Sequence, residues 1–148
     1  DIETIHAATD LLAEAKLSPE LRNEALYYRA KAYTKQKADK KAMEDYRELA
    51  KDTRNPYGAE AKYQVAQSLY DAKEYAAAEK ELLNYIEQST PHAYWLARSF
   101  ILLSDVYHAT GKDLDARQYL LSLQQNYQGN DDIESMIESR LSKLKVEN

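Results

Sequence analysis

Apolar residues recur along nearly the whole chain at three- and four-residue steps, the period of one helix face. The clearest stretch is Tyr57–Pro91, where Tyr63, Leu69, Tyr70, Tyr75, Leu82, Tyr85 and Ile86 mark two helices on either side of a tight turn at Asp71–Glu74. Ala66 in the first helix and Ala78 in the second stand where a neighbouring backbone has to come close. Two short helices of this kind cannot bury both apolar faces alone, so copies of the pair are expected alongside.

The rest of the chain supplies them. An amphipathic helix is expected over residues 2–16, with Ile5, Ala8, Leu12 and Ala15 on one face. Ser18 as N-cap and Pro19 as first helical residue start a second helix, which runs to about Gln36. Asp39 is expected to cap the helix carrying Ala42, Met43, Tyr46, Leu49 and Ala50, with Asn55-Pro56 as its stop. Thr90-Pro91 repeats the cap-plus-proline device and opens the longest helix, His92 to about Thr110, which Gly111 ends in left-handed geometry. Asp113 is expected to cap a helix holding Ala116, Tyr119, Leu120, Leu123 and Tyr127. A final helix carries Ile133, Met136, Ile137, Leu141 and Leu144 on one side and Glu134, Glu138, Ser139, Lys143 and Lys145 on the other. That division suits a terminal helix that seals a core and meets water.

The copies are in phase. Ala8, Ala42, Ala78 and Ala116 are spaced by 34, 36 and 38 residues. The run Lys62, Val65, Ala66, Leu69, Ala78, Leu82, Pro91 has counterparts in Leu26, Arg29, Ala30, Tyr33, Ala42, Tyr46, Pro56 and in Phe100, Leu103, Ser104, Tyr107, Ala116, Leu120. This pattern resembles the tetratricopeptide repeat (TPR) family over nearly the whole chain. The resemblance implies an all-α fold, a right-handed TPR-like superhelical solenoid of antiparallel helix hairpins. Residues 1–17 would be the second half of a preceding repeat, 18–55, 56–90 and 91–129 three repeats, and 130–148 a C-terminal capping helix. A chain opening on half a repeat is expected to be a fragment of something longer. From Tyr94 to Tyr127 it is also similar to the C-terminal part of long TPR proteins of Bacteroidetes. The Tyr-rich habit between Ala66 and Ala78 resembles solenoids of the bacterial cell envelope, which implies a periplasmic or outer-membrane-associated place. The residues themselves name no compartment.

Composition narrows the function. Three Gly and three Pro in 148 residues argue for helix nearly throughout. Thirteen Tyr against one Phe suit large interhelical holes whose rims are wet. A net charge of −5, with the acidic excess downstream of residue 56, argues against a nucleic-acid partner, which needs a basic stripe. Absence of Cys excludes disulfides and thiolate sites, and no apolar run is long enough to span a membrane. His6, His92 and His108 have no metal-ligand spacing, and Asp105 with His108 reads as a surface hydrogen bond. Phosphate loops and nucleophile elbows are lacking, so no catalytic residue, metal or cofactor is expected and the chain reads as a non-enzyme.

Binding is the remaining class. In the family resembled, first helices line a concave groove, which implies contacts from Tyr27, Lys31, Tyr63, Gln67, Tyr70, Arg98, Asp105 and His108 to a protein or peptide partner. Glu24, Tyr28, Glu60, Ile101 and Leu102 fall on the same faces. Tyr63 and Tyr70 read equally well as packing between repeats. The Lys and Asn set that holds chaperone C-termini in some members is not reproduced, since Tyr27, Lys31, Gln64, Arg98 and Leu102 stand there. The expectation is a non-catalytic protein–protein interaction scaffold. The alternatives are a structural end segment with its binding site upstream, or a sensor of a small ligand or signal peptide. Ile5, Leu12 and Ala15 are expected to leave an apolar N-terminal edge prone to weak self-association.

Overall fold

A computed structural model describes residues 1–88 and 90–144, which form eight α-helices and, among the described residues, no strand. The chain is all-α. The helices are α1 (Ile2–Leu12), α2 (Pro19–Lys35), α3 (Asp39–Leu49), α4 (Pro56–Asp71), α5 (Tyr75–Glu87), α6 (Ala93–Ala109), α7 (Asp113–Asn126) and α8 (Ile133–Leu141). Two compact units, Asp1–Val65 and Ala66–Asn148, divide the chain within α4.

In the first unit α2 packs against both α1 and α3. Its buried residues include Ala8, Leu26, Ala30, Ala42, Tyr46 and Leu49. Arg29 fastens the three helices together. Its guanidinium donates to both carboxylate oxygens of the buried Asp45 at 2.7 and 2.8 Å and to the Thr9 hydroxyl at 3.1 Å. In the second unit α5, α7 and α8 all pack on α6, and α8 also touches α7. Ala97, Ile101, Leu120, Leu123, Ile133 and Ile137 form its buried cluster, and Met136, Leu141 and Leu144 close over it. The apolar stripe expected of α8 is therefore the side that seals this core. Lys145, read as part of its polar side, lies outside the described residues.

Three turns share one construction. Lys37, Lys73 and Gly111 have φ of 60°, 62° and 79°, the left-handed region. The N–H of each donates to the carbonyl three residues back, on Thr34, Tyr70 and His108. The following N–H, on Ala38, Glu74 and Lys112, donates to Tyr33, Leu69 and Tyr107 at 2.9, 2.9 and 2.7 Å. This pairing satisfies the last carbonyls of α2, α4 and α6. It also corrects two expected caps. Ala38 and Lys112, already engaged in the turns, occupy the N-cap positions, and neither makes a side-chain cap bond. Asp39 and Asp113 fall one residue later, inside the first turn, where a negative charge favours the helix dipole.

Ser18 does cap α2, accepting from Leu21 N–H at 3.2 Å, and Pro19 is its first residue. Other boundaries move. α1 stops at Leu12 and residues 13–18 make the link to α2, which leaves Ala15 exposed rather than on a buried face. α3 stops at Leu49, well before Asn55. Asn55 caps the next helix instead, accepting from Gly58 N–H at 2.8 Å while its amide donates to Asp52 O. Pro91 lies outside α6, which begins at Ala93. Thr90 bonds the N–H of His92, two residues on, so it closes a local turn rather than capping the helix.

Candidate functional site

Four of the eight expected contact residues gather around one cleft in the second unit. Gln67 and Tyr70 come from the last turns of α4, and Asp105 and His108 from one face of α6, where a step of three keeps them together. Arg140 of α8, with Lys143 and Leu144 just beyond it, completes a cavity of about 350 Å³ over the buried Ser104.

Asp105 is its electrostatic centre. Arg140 donates to both carboxylate oxygens, at 3.3 and 3.4 Å. Burial raises the Asp105 pKa, and the attraction of Arg140 offsets only part of that rise. Tyr70 is raised too, by burial first and by the nearby Asp105 charge second, and its ring lies 5.6 Å from that of Tyr75. Gln67 donates to Asp71 at 2.8 Å. His108 does not pair with Asp105 as the sequence suggested. It is half exposed and its Nδ1 lies 2.8 Å from Asp113, the carboxylate freed by the turn at Gly111. The cleft thus presents cationic, anionic and phenolic groups side by side, each held by a neighbour.

Tyr27 and Lys31 lie in the first unit around Glu60. The Tyr27 hydroxyl donates to Glu60 at 2.9 Å, and the Lys31 ammonium is 3.1 Å from the other oxygen and 5.1 Å from the Tyr27 ring centre. Burial would lower the Lys31 pKa, but its bonds to Glu60 and Tyr27 outweigh that and raise it. For Tyr27, burial first and the Glu60 carboxylate second raise the phenol. Arg98 sits elsewhere in the second unit, donating to Tyr94 at 2.9 Å with its guanidinium 5.8 Å from the Tyr94 and Trp95 ring centres.

Tyr63 is only 6% exposed and belongs to the core, as the packing alternative for it expects. Ile101 and Leu102, read on the same groove faces, are buried as well. The sequence reading also passed over Arg140. It stands three residues after Ile137, on the edge of the apolar stripe, and that offset is the signal that turns it toward α6.

Among the described residues no group of three or more potential ligands could hold a metal ion, and no helix is long and apolar enough to cross a membrane. No known family model, curated protein or solved structure matches the chain.

Proposed function

We propose that the chain is a non-catalytic protein-interaction scaffold of the TPR-like solenoid type, and that the cleft of the second unit is its peptide-binding site. The observation that carries this reading is the meeting of Tyr70, Asp105, His108, Arg140 and Lys143 around one cavity. Tyr offers contact area at low entropy cost, and opposite charges a few ångströms apart fix the direction of a bound chain. The repeated turn at Lys37, Lys73 and Gly111 supports the repeat architecture, since each sits at the same offset from its small second-helix residue, Ala42, Ala78 or Ala116. The proposed envelope setting rests on the sequence resemblance alone.

The test begins with crosslinking in the parent cell, to deliver a partner, followed by calorimetric titration of folded variants. Tyr70→Ala should cost about 2 kcal/mol in affinity, as truncation of a central aromatic does. Lys80→Ala, on the exposed part of α5, should cost nothing. Equal effects from the two would remove the site from the cleft. Such a result would favour a second reading, in which the segment is mainly structural. Tyr63 burial and the Lys31–Glu60 and Asp105–Arg140 pairs speak for it, because they commit groove residues to internal contacts.

A further inference from the structure

A second surface, in the first unit, has a ligand chemistry of its own. Glu24, Tyr27, Tyr28 and Lys31 share one face of α2 at steps of three and four residues. Tyr57, in the first turn of α4, brings its ring to 4.7 Å from that of Tyr27, while Tyr28 meets Tyr27 edge-on at 5.4 Å. The three rings form a continuous ledge, and Tyr28 is 50% exposed. Glu24 stands four residues before Tyr28 on the same face of α2, and the Tyr57 phenol is raised by burial first and by the Glu24 charge second.

The two ends of the ledge differ in charge. At one end the Lys31 ammonium lies over Tyr27 and against Glu60, so aromatic face, cation and carboxylate are all supplied by the protein. At the other end Tyr28 and Tyr57 offer aromatic surface and Glu24 a carboxylate. Glu24 is exposed and makes no ion pair among the described residues.

We infer that the Glu24–Tyr28–Tyr57 ledge is a docking site for an arginine side chain of a partner peptide. Charge complementarity names the cation, and the shape of the surface names the guanidinium. The Tyr28 ring stands at 76° and the Tyr57 ring at 42° to that of Tyr27, so together they make a stepped shelf whose separate ring faces suit a flat group. A planar guanidinium stacks on such a shelf, is weakly hydrated, and keeps its N–H edge free for a carboxylate. The inference rests on the scaffold reading only in that the arginine arrives on a peptide. It does not depend on the cleft of the second unit.

The test is an aromatic NMR titration of the full chain with the pentapeptide Gly-Gly-Arg-Gly-Gly, blocked at both ends, and with its citrulline counterpart. Citrulline keeps the planar head and removes the charge. Saturable shifts at Tyr28 and Tyr57 with the arginine peptide are expected, and at least about fivefold weaker binding for citrulline and for Glu24→Gln, as loss of a charge-assisted contact predicts. Tyr28→Ala, at an exposed position, should abolish saturation while circular dichroism stays unchanged. Absence of saturable shifts would overturn the inference. Citrulline binding equal to arginine, or Glu24→Gln equal to the wild type, would do the same. Shifts confined to Tyr70 and His108 would overturn it too, yet leave the cleft reading standing. Loss of cleft binding with the ledge intact would separate the two in the other direction.

Discussion

At the scale of single residues, the turns are where sequence and backbone disagree most usefully. Lys37 and Lys73 hold a left-handed conformation that costs an L-residue roughly 1–2 kcal/mol, whereas Gly111 adopts it without a Cβ. Lys73→Gly should therefore raise stability by about 0.5–1 kcal/mol, the relief being partly offset by the freer unfolded chain, and Gly111→Ala should lower it by a similar amount. Urea denaturation of the two variants checks both signs. Gly58 has a different reason to be glycine. A Cβ there would lie 1.8 Å from the backbone oxygen of Asp52, so Gly58→Ala must push the start of α4 away from the loop before it. Calorimetry should show a loss at or above the upper end of the roughly 1–3 kcal/mol usual for overpacking. The clash is invisible in the sequence, since nothing in the pattern says that the backbone after α3 folds back on α4. Gly111 was legible because glycine is the residue such turns select. The two lysines were not, because a Schellman turn can be imposed on a residue that does not favour it.

At the scale of elements, the periodicity revealed all eight helices among the described residues, because apolar stripes are what period records, whether broadly buried as on α6 or buried only at Ala8 as on α1. It could not reveal which polar residues sit at the stripe's edge and turn inward. Arg29 stands where the repeat pattern places a hydrophobic residue, and the fold accommodates it by pairing it with Asp45 across α2 and α3. Arg140 does the same for α6 and α8, and for that reason only part of the candidate site could be named beforehand. The pair gives a pH prediction with a definite sign. Asp105 has a folded pKa above its ordinary 3.8, so between that value and the folded one the native state holds more protons than the unfolded state. Its contribution makes stability fall as pH rises through this window. Other carboxylates oppose it, among them Glu48, which Lys51 lowers. The clean measurement is thus the difference between wild type and Asp105→Asn across pH 3 to 7, which should shrink toward the acid end. Arg140→Met should cost about 1–3 kcal/mol at neutral pH, less than for a fully buried pair because the two side chains remain 21% and 31% exposed. That loss should diminish at low pH and be largely rescued by adding Asp105→Asn. A constant loss at every pH would mean that Arg140 acts by packing alone.

At the scale of the whole molecule, the surface carries one further consequence. Ile2 is 61% exposed and Leu21 47%, while Ile5, Leu11 and Leu12 are half-buried on or beside α1. Of the face expected to be apolar, only Ala8 is buried and Ala15 points to water, so this end of the first unit leaves apolar area accessible. Apolar area gains by leaving water, at roughly 25 cal/mol per Å², and two copies meeting at this edge would bury it mutually. The net charge of −5 on each copy opposes that meeting. The balance predicts weak association that strengthens with salt, because screening reduces the repulsion between copies while apolar burial is unaffected or favoured. Sedimentation or light scattering should accordingly show a concentration-dependent mass that grows between low and moderate ionic strength. Leu12→Glu should bring the mass to that of a monomer by adding charge and removing apolar area at the same place. Lys80→Ala on α5 should leave it alone. Association that weakens with salt would instead make the contact electrostatic and assign it to a different surface. A strictly monomeric chain at high concentration would mean that α1 and its neighbours already bury enough of the edge to keep it from sticking.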